Sequence, residues 1–424
     1  MASDDAFPRF VNGDVEIVLT PIRRLRLHSD VLSGASLLFA ELLTKENAAV
    51  LSKKALSEGR TVRYLIELVN VSTTFGNSPG KLTMIKLDTN GHAIPSPGQP
   101  RASMLLSSAA ADPSNHLLAD WTSVLGALHG AAELRVDSDT LVGIIASASS
   151  ILDIVDYLRL RHPVLAPLEL ALLGSEQALW QSVCAAPVQW VNLAVRLRSF
   201  YIFREACCHV VGGWAGWSQE QRGELRGDVR ELCARKAGKF EAFKEGLERR
   251  LLEYRHEKLR YDPAVDKGRG KKTHEPDVLI WQAQYLLMNW LARMFWEGRG
   301  RSAMDGGYGL YKMLWEGNCC EPVKQAKLSP LTPAGRSVVA EHVREMQGDL
   351  KKMVKPVMIS NLKLDQSLML ANRLTPFTIK PRDCPWNTED TTGQDSSQRS
   401  RHSRRQEATQ HNPDEEDDLE DFIS

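Results

Sequence analysis

Between Leu27 and Val31 the hydrophobic rhythm of the chain changes from every second residue to every third or fourth, and this switch constrains the fold more than any other feature. Val15, Ile17 and Leu19 alternate with Asp14, Glu16 and Thr20, the period of a strand with one buried face. Pro21 to Arg23 can turn the chain. Leu25 and Leu27 then alternate with Arg24 and Arg26, so the two runs predict a hairpin. Beyond His28, the residues Val31, Leu32, Ala35, Phe39, Leu42 and Leu43 fall on one helical face. A helix over 29–44 is expected, with Ser29 as its N-cap and Asp30 at the positive end of its dipole.

A second β signal covers 61–70, and Leu82 to Leu87 offers another strand. Residues 88–116 are rich in Pro, Gly, Ser and Ala without periodicity, and read as a long inserted loop. From 120 the signals are helical. Trp121, Val124, Leu125 and Leu128 share a face, as do Leu141, Ile144, Ile145, Ala148, Leu152 and Val155. His162-Pro163 closes this region. Helical segments follow over Leu168 to Val183, through Trp190 to Leu197, and through Ile202 to Val210 as far as Gly212-Gly213. Residues 219–260 are charged and periodic, but the repeat breaks at Lys236, which leaves a long coiled coil open. A polar linker over 261–276 carries Lys267-Gly-Arg-Gly-Lys-Lys272, a Trp-rich helix follows over 277–297, and a further helix over 333–353. From 386 onward large apolar residues are scarce and disorder is expected.

The expected fold class is therefore α+β: a flexible start (1–9), a mixed domain (10–162) with its insertion, a helical region (163–260), the linker, a second helical region (277–380) and a tail (386–424).

Charge and cysteine usage narrow the function classes. Lys+Arg and Asp+Glu number 53 each, so the basic excess of a nucleic-acid binder is missing and no direct nucleic-acid contact is expected. The seven cysteines are scattered without a Cys-x-x-Cys pair, which fits reduced thiols inside a cell. The acidic Met-Ala-Ser-Asp-Asp start has no apolar h-region, so no secretory signal is expected. The apolar stretch Val278 to Trp296 is interrupted by Gln282, Gln284, Asn289 and Arg293, and no membrane span is expected there. An intracellular location follows, in cytoplasm, nucleus or both.

Two motifs carry a resemblance. The first is Asp14-Val15-x-Ile17-Val18-Leu19 with Leu25-x-Leu27-His28-Ser29-x-Val31-Leu32-Ser33-x-x-Ser36-x-x-Phe39-x-x-Leu42-Leu43. The second is the later run Trp121 to His129 and Asp139 to Leu158. Together they resemble the BTB/POZ domain. With Pro187-x-x-Trp190-x-x-Leu193-Ala194 through His209-x-Val211-Gly212 added, the first half of the chain is similar to BTB-domain proteins of filamentous fungi. The resemblance implies a small mixed sheet flanked by helices. It also implies an interaction adaptor whose partners are a second copy, another BTB protein or a cullin scaffold. Asp14, His28, Val31, Leu32, Ser36 and Phe39 would be its structural motif residues. Ser29 stands where the family's zinc-finger transcription factors often carry a basic residue, so their charged dimer groove is not implied. The alternative reading is a component of a nuclear transcription or chromatin complex, with the basic linker as import signal.

Chemistry-bearing candidates are few. His28 reads as a turn histidine bonded to backbone. Cys207-Cys208-His209 would point about 100° apart on a helix, which does not favour one metal ion. Gly268 to Thr273 fails the phosphate-loop pattern, because Val265 and Lys272 occupy its required Gly and Ser/Thr positions. No catalytic residues, metal or cofactor are assigned, and no enzyme is expected. Trp281, Trp290 and Trp296, with Tyr285 and Phe295, form an aromatic cluster. Its plainer reading is a packed helix core; its functional reading is a partner surface.

Overall fold

The computed structural model describes residues 10–69, 79–94, 116–130, 134, 136, 140–160, 165–259, 277–320, 332–369 and 372–387. The chain divides into two compact units, Met1–Leu179 and Trp180–Ser424.

The first unit is mixed α+β. β1 (Val15–Val18) and β2 (Arg24–Leu27) form the expected hairpin, with Ile17 opposite Leu25. β3 (Tyr64–Val69) pairs parallel to β1, and β4 (Lys81–Ile85) pairs antiparallel to β3, giving the order β2-β1-β3-β4. A parallel pair needs a crossover. Here it contains β2, α1 (Ser29–Ala35), α2 (Leu37–Leu42) and α3 (Lys53–Ser57). Tyr64, Leu65, Ile66 and Leu68 are all buried, so central β3 has lost strict alternation because both its faces are covered. α4 (His116–Leu128) and α5 (Leu141–Leu158) supply Trp121, Val124, Leu125, Ile151, Leu152 and Ile154 to the core. The Trp121 indole donates to the Pro79 carbonyl at 2.7 Å and meets Tyr157 edge-on at 6.2 Å. Tyr157 in turn accepts from the Leu82 amide at 2.8 Å, which ties α5 to β4. α5 is the helix among the described residues long and apolar enough to cross a membrane by length and composition.

Three local expectations are corrected. The helix expected over 29–44 is broken at Ser36, which is extended. The buried Ser36 hydroxyl donates to the Leu158 carbonyl at 2.6 Å and accepts from the Phe39 amide at 3.1 Å. It thereby starts a new helix and fastens it to the end of α5. Ser29 is not an accepting N-cap either. Its amide and hydroxyl both donate to the Asp14 carboxylate, at 2.8 and 2.5 Å, so α1 is capped from the strand side of the junction. The single segment expected over Leu168 to Val183 is also two, α6 (Ala166–Leu173) and α7 (Glu176–Ala185), interrupted at Gly174-Ser175. The insertion expected at 88–116 falls mostly outside the described residues, as do the basic linker and nearly all of the tail.

The second unit is helical: α8 (Pro187–Leu197), α9 (Phe200–Gly212), α10 (Gln219–Gly223), α11 (Gly227–Leu252), α12 (Asp277–Trp296), α13 (Tyr308–Glu316) and α14 (Pro333–Met358). α9 is buried on nearly every side: Ile202, Phe203, Glu205, Ala206, Cys207, Cys208, His209, Val210 and Val211 are all enclosed. What encloses it includes a segment the sequence reading placed in a helical region. Residues 372–380 form neither helix nor strand and lie across α9 and α11 as a strap. Pro376 and Pro381 oppose helix there. Leu374, Phe377, Ile379 and Cys384 are buried. Phe377 meets Phe240 edge-on at 4.6 Å, and Trp386 meets Phe203 at 5.4 Å. Gly212 is required: a Cβ there would lie 2.3 Å from the Leu374 carbonyl oxygen. The strap also explains the broken repeat at Lys236. α11 runs through this position unbroken, and the buried ammonium donates to the Thr378 carbonyl at 3.3 Å with Asp383 at 3.9 Å. α11 is thus the wall of a folded unit, with its apolar stripe used inside it.

Candidate interaction surface

α12 has two apolar faces, and among the described residues one of them is used for packing. Ile280, Ala283, Leu287, Leu291 and Met294 are buried against neighbours that include α14 and the 257–259 turn. On the other side Trp281 is 52% exposed, Tyr285 67% and Trp296 92%. At 3.6 residues per turn these three fall within an arc of about 60° and span about 22 Å of helix. Val278 is exposed on the same side. Trp290 lies about half a turn away from Trp281 and is half-buried, so the three tryptophans do not form one surface. The packed-core reading therefore does not describe Trp281 or Trp296. The residues on one face are Trp281, Tyr285 and Trp296.

The frame beneath this face is rigidly held. Gln284, on the buried side of α12, donates to the Tyr254 carbonyl at 2.8 Å and accepts from the His256 amide at 3.1 Å. His256 accepts from the Lys258 amide through Nδ1 at 3.1 Å, which leaves Nε2 to carry the proton toward Glu345 at 3.3 Å. Glu345 is shared with Lys258 at 2.9 Å and His342 at 3.1 Å. Hydrogen bonds from Lys258 and then His342 hold its carboxyl down to about 2. One turn along α14, Asp349 accepts from the Tyr254 hydroxyl at 2.9 Å. These side chains, which could have suggested acid–base chemistry, are taken up in a clasp between the end of α11, α12 and α14.

The loop after Trp296 is also pinned. Glu248 of α11 accepts from the Arg301 amide at 2.5 Å and the Tyr311 hydroxyl at 2.9 Å, and buried Lys244 donates to the Gly306 carbonyl at 3.1 Å. Gly307, at φ +90°, makes the turn into α13. Met304 in this loop is fully exposed. Sequence reasoning missed it, because an isolated Met in a glycine-rich loop carries no periodic signal.

The remaining sequence candidates have structural surroundings. The Asp14 carboxylate is occupied by Ser29, while its carbonyl accepts from the Arg63 and Tyr64 amides. Leu32, Ser36 and Phe39 are fully buried, whereas Val31 is partly exposed. His28 uses its backbone amide, which donates to His129 Nε2 at 3.3 Å, while its ring packs 4.8 Å from Phe10. Cys207, Cys208 and His209 are all buried in α9, and the Cys208 thiol points to the Phe377 carbonyl at 3.4 Å.

Comparison with known proteins gives one match. The model of the FF domain, in its fungal form, matches residues 256–356, the span that holds most of the clasp, α12, α13 and most of α14. No curated protein and no solved structure matches the chain. The resemblance of the first 160 residues to a BTB/POZ domain is thereby overturned: the family found is the FF domain, and no BTB/POZ domain is found. The motif that suggested it is short-range, a strand pair followed by a capped helix. Asp14 and Ser29 bond to one another at the strand–helix junction, and Ser36 bonds to the distant Leu158 carbonyl, so each has a structural role of its own. The mixed sheet and the helical C-terminal region stand without the family name. The FF domain is a protein-interaction domain, which favours protein partners and gives no support to a cullin adaptor.

Proposed function

We propose that this chain works as a protein-interaction component, not an enzyme, and that the exposed face of α12 binds a partner protein. The observation that carries this is the row of Trp281, Tyr285 and Trp296 on a helix whose opposite face is packed. Large apolar side chains held out in water are costly to leave uncovered. Trp and Tyr are also the residues most enriched where binding energy concentrates. The clasp and the pinned loop fix the face before binding, which lowers the ordering cost of association. The match of this span to an interaction domain points the same way. The occupant is a segment of another protein offering apolar side chains that cover the indoles.

Replacing Trp281 and Trp296 together by Ala is expected to weaken partner binding at least about 30-fold, the effect of losing about 2 kcal/mol at a binding hot spot. Tm is expected to move little, because both side chains are largely exposed. The check is affinity capture of a purified partner by the wild type and the variant, with thermal unfolding of both. Equal capture by the two proteins would remove the proposal.

A further inference from the structure

We propose that His209 and Arg373 form a binding site for an oxyanion, a phosphate or a carboxylate group, where α9 meets the strap. His209 is fully enclosed, and among the described residues neither of its ring nitrogens has a hydrogen-bond partner. Arg373 of the strap has a buried Nη1 that likewise has no partner among the described residues, and its guanidinium lies 4.9 Å over the Trp217 ring. Trp217 is fixed by donating to the Val210 carbonyl at 3.0 Å. The packing is close: a Cβ on Gly213 would lie 3.0 Å from Trp217 Nε1 and 3.3 Å from Arg373 Nε. Arg373 as a whole is half-buried.

The Arg373 charge is near enough to act on His209, so two cation-capable groups share this region, and among the described residues no carboxylate pairs with Arg373. Burial, then the nearby Arg373 charge, pushes His209 down to about 4. The negative end of the α9 dipole offsets part of one charge. It provides no acceptor for Arg373 Nη1 and no partner for the imidazole. Unpaired buried donors of this kind cost about 1–3 kcal/mol each. A single oxyanion answers both: it accepts from the guanidinium in the geometry for which Arg is suited, and from the imidazole N–H. A trapped water is the competing occupant, and it would be insensitive to added anions.

The test is thermal unfolding of the full chain at constant ionic strength in chloride, inorganic phosphate or acetate. A saturable rise in Tm of about 3 °C or more over chloride, in phosphate or in acetate, is expected from linkage. The anion that produces it identifies the phosphate or the carboxylate form. Arg373→Met keeps an apolar side chain over Trp217 and should lose the rise; Arg373→Lys should keep part of it. If Arg373→Met fails to fold, NMR on the wild type still decides. The His209 ring nitrogens, assigned by their loss in His209→Gln, should shift with the anion. No rise above chloride, a rise retained in full by Arg373→Met, or an unmoved His209 signal would each overturn the proposal.

Discussion

Phe377→Ala is expected to lower the stability of the second unit by about 4 kcal/mol, read as a fall in the urea midpoint with little change in slope. Phe377 is 2% exposed and meets Phe240 edge-on at 4.6 Å, so truncation removes both its burial and an aromatic pair. The site cannot collapse easily, because the Phe377 and Thr378 carbonyls are engaged by Cys208 and Lys236. A loss of this size approaches the whole stability of many domains. The variant should then lose α9 and α11 packing as a unit. A midpoint unchanged within error would show that the strap merely covers the surface and does not complete the core.

Glu205→Ala should cost about 3 kcal/mol or more by a different route. The buried carboxylate accepts from the Lys363 amide at 2.9 and 3.0 Å and from the Leu364 amide at 2.9 Å. Removing it leaves both amides, in the segment between α14 and the strap, without their acceptor. Burial, outweighing the two backbone hydrogen bonds, raises the Glu205 carboxyl above the usual carboxylate range. A folded-state value above the unfolded one means that the proton-linked contribution is full below the unfolded value of about 4.3 and fades as pH rises through the folded value. Glu205→Gln keeps one accepting oxygen and should fall between wild type and Ala at pH 7. Urea titrations of the three proteins at pH 4 and pH 7 check the order, and Gln equal to Ala at both values would refute the acceptor role.

Much of the local structure was legible because one periodicity met one core. The hairpin, α4, α5 and α12 all show an apolar stripe whose partner surface need not be known to predict the element. The break at Ser36 was not legible, since its cause is the Leu158 carbonyl, 122 residues away. The strap was hidden for the same reason. Leu374 to Ile379 has no helical period and gains its burial from α9 and α11, and Lys236 reads as a fault in a repeat until the Thr378 carbonyl is placed beside it. The exposed face of α12 was only half legible. Its aromatics lie on a helix with apolar residues on both sides, so sequence alone cannot separate the side that packs from the side that faces water. The family inference failed at this same boundary between local and distant causes. The residues around Asp14 and His28 encode a turn and two caps, which is less than a family.

Hydroxyl-radical footprinting of the free chain and of its complex with a captured partner addresses the α12 face most directly. Trp281, Tyr285 and Trp296 should react readily in the free chain and be protected in the complex, while enclosed Trp121 stays slow in both. Undiminished oxidation of all three in a saturated complex would contradict a docking role for this face.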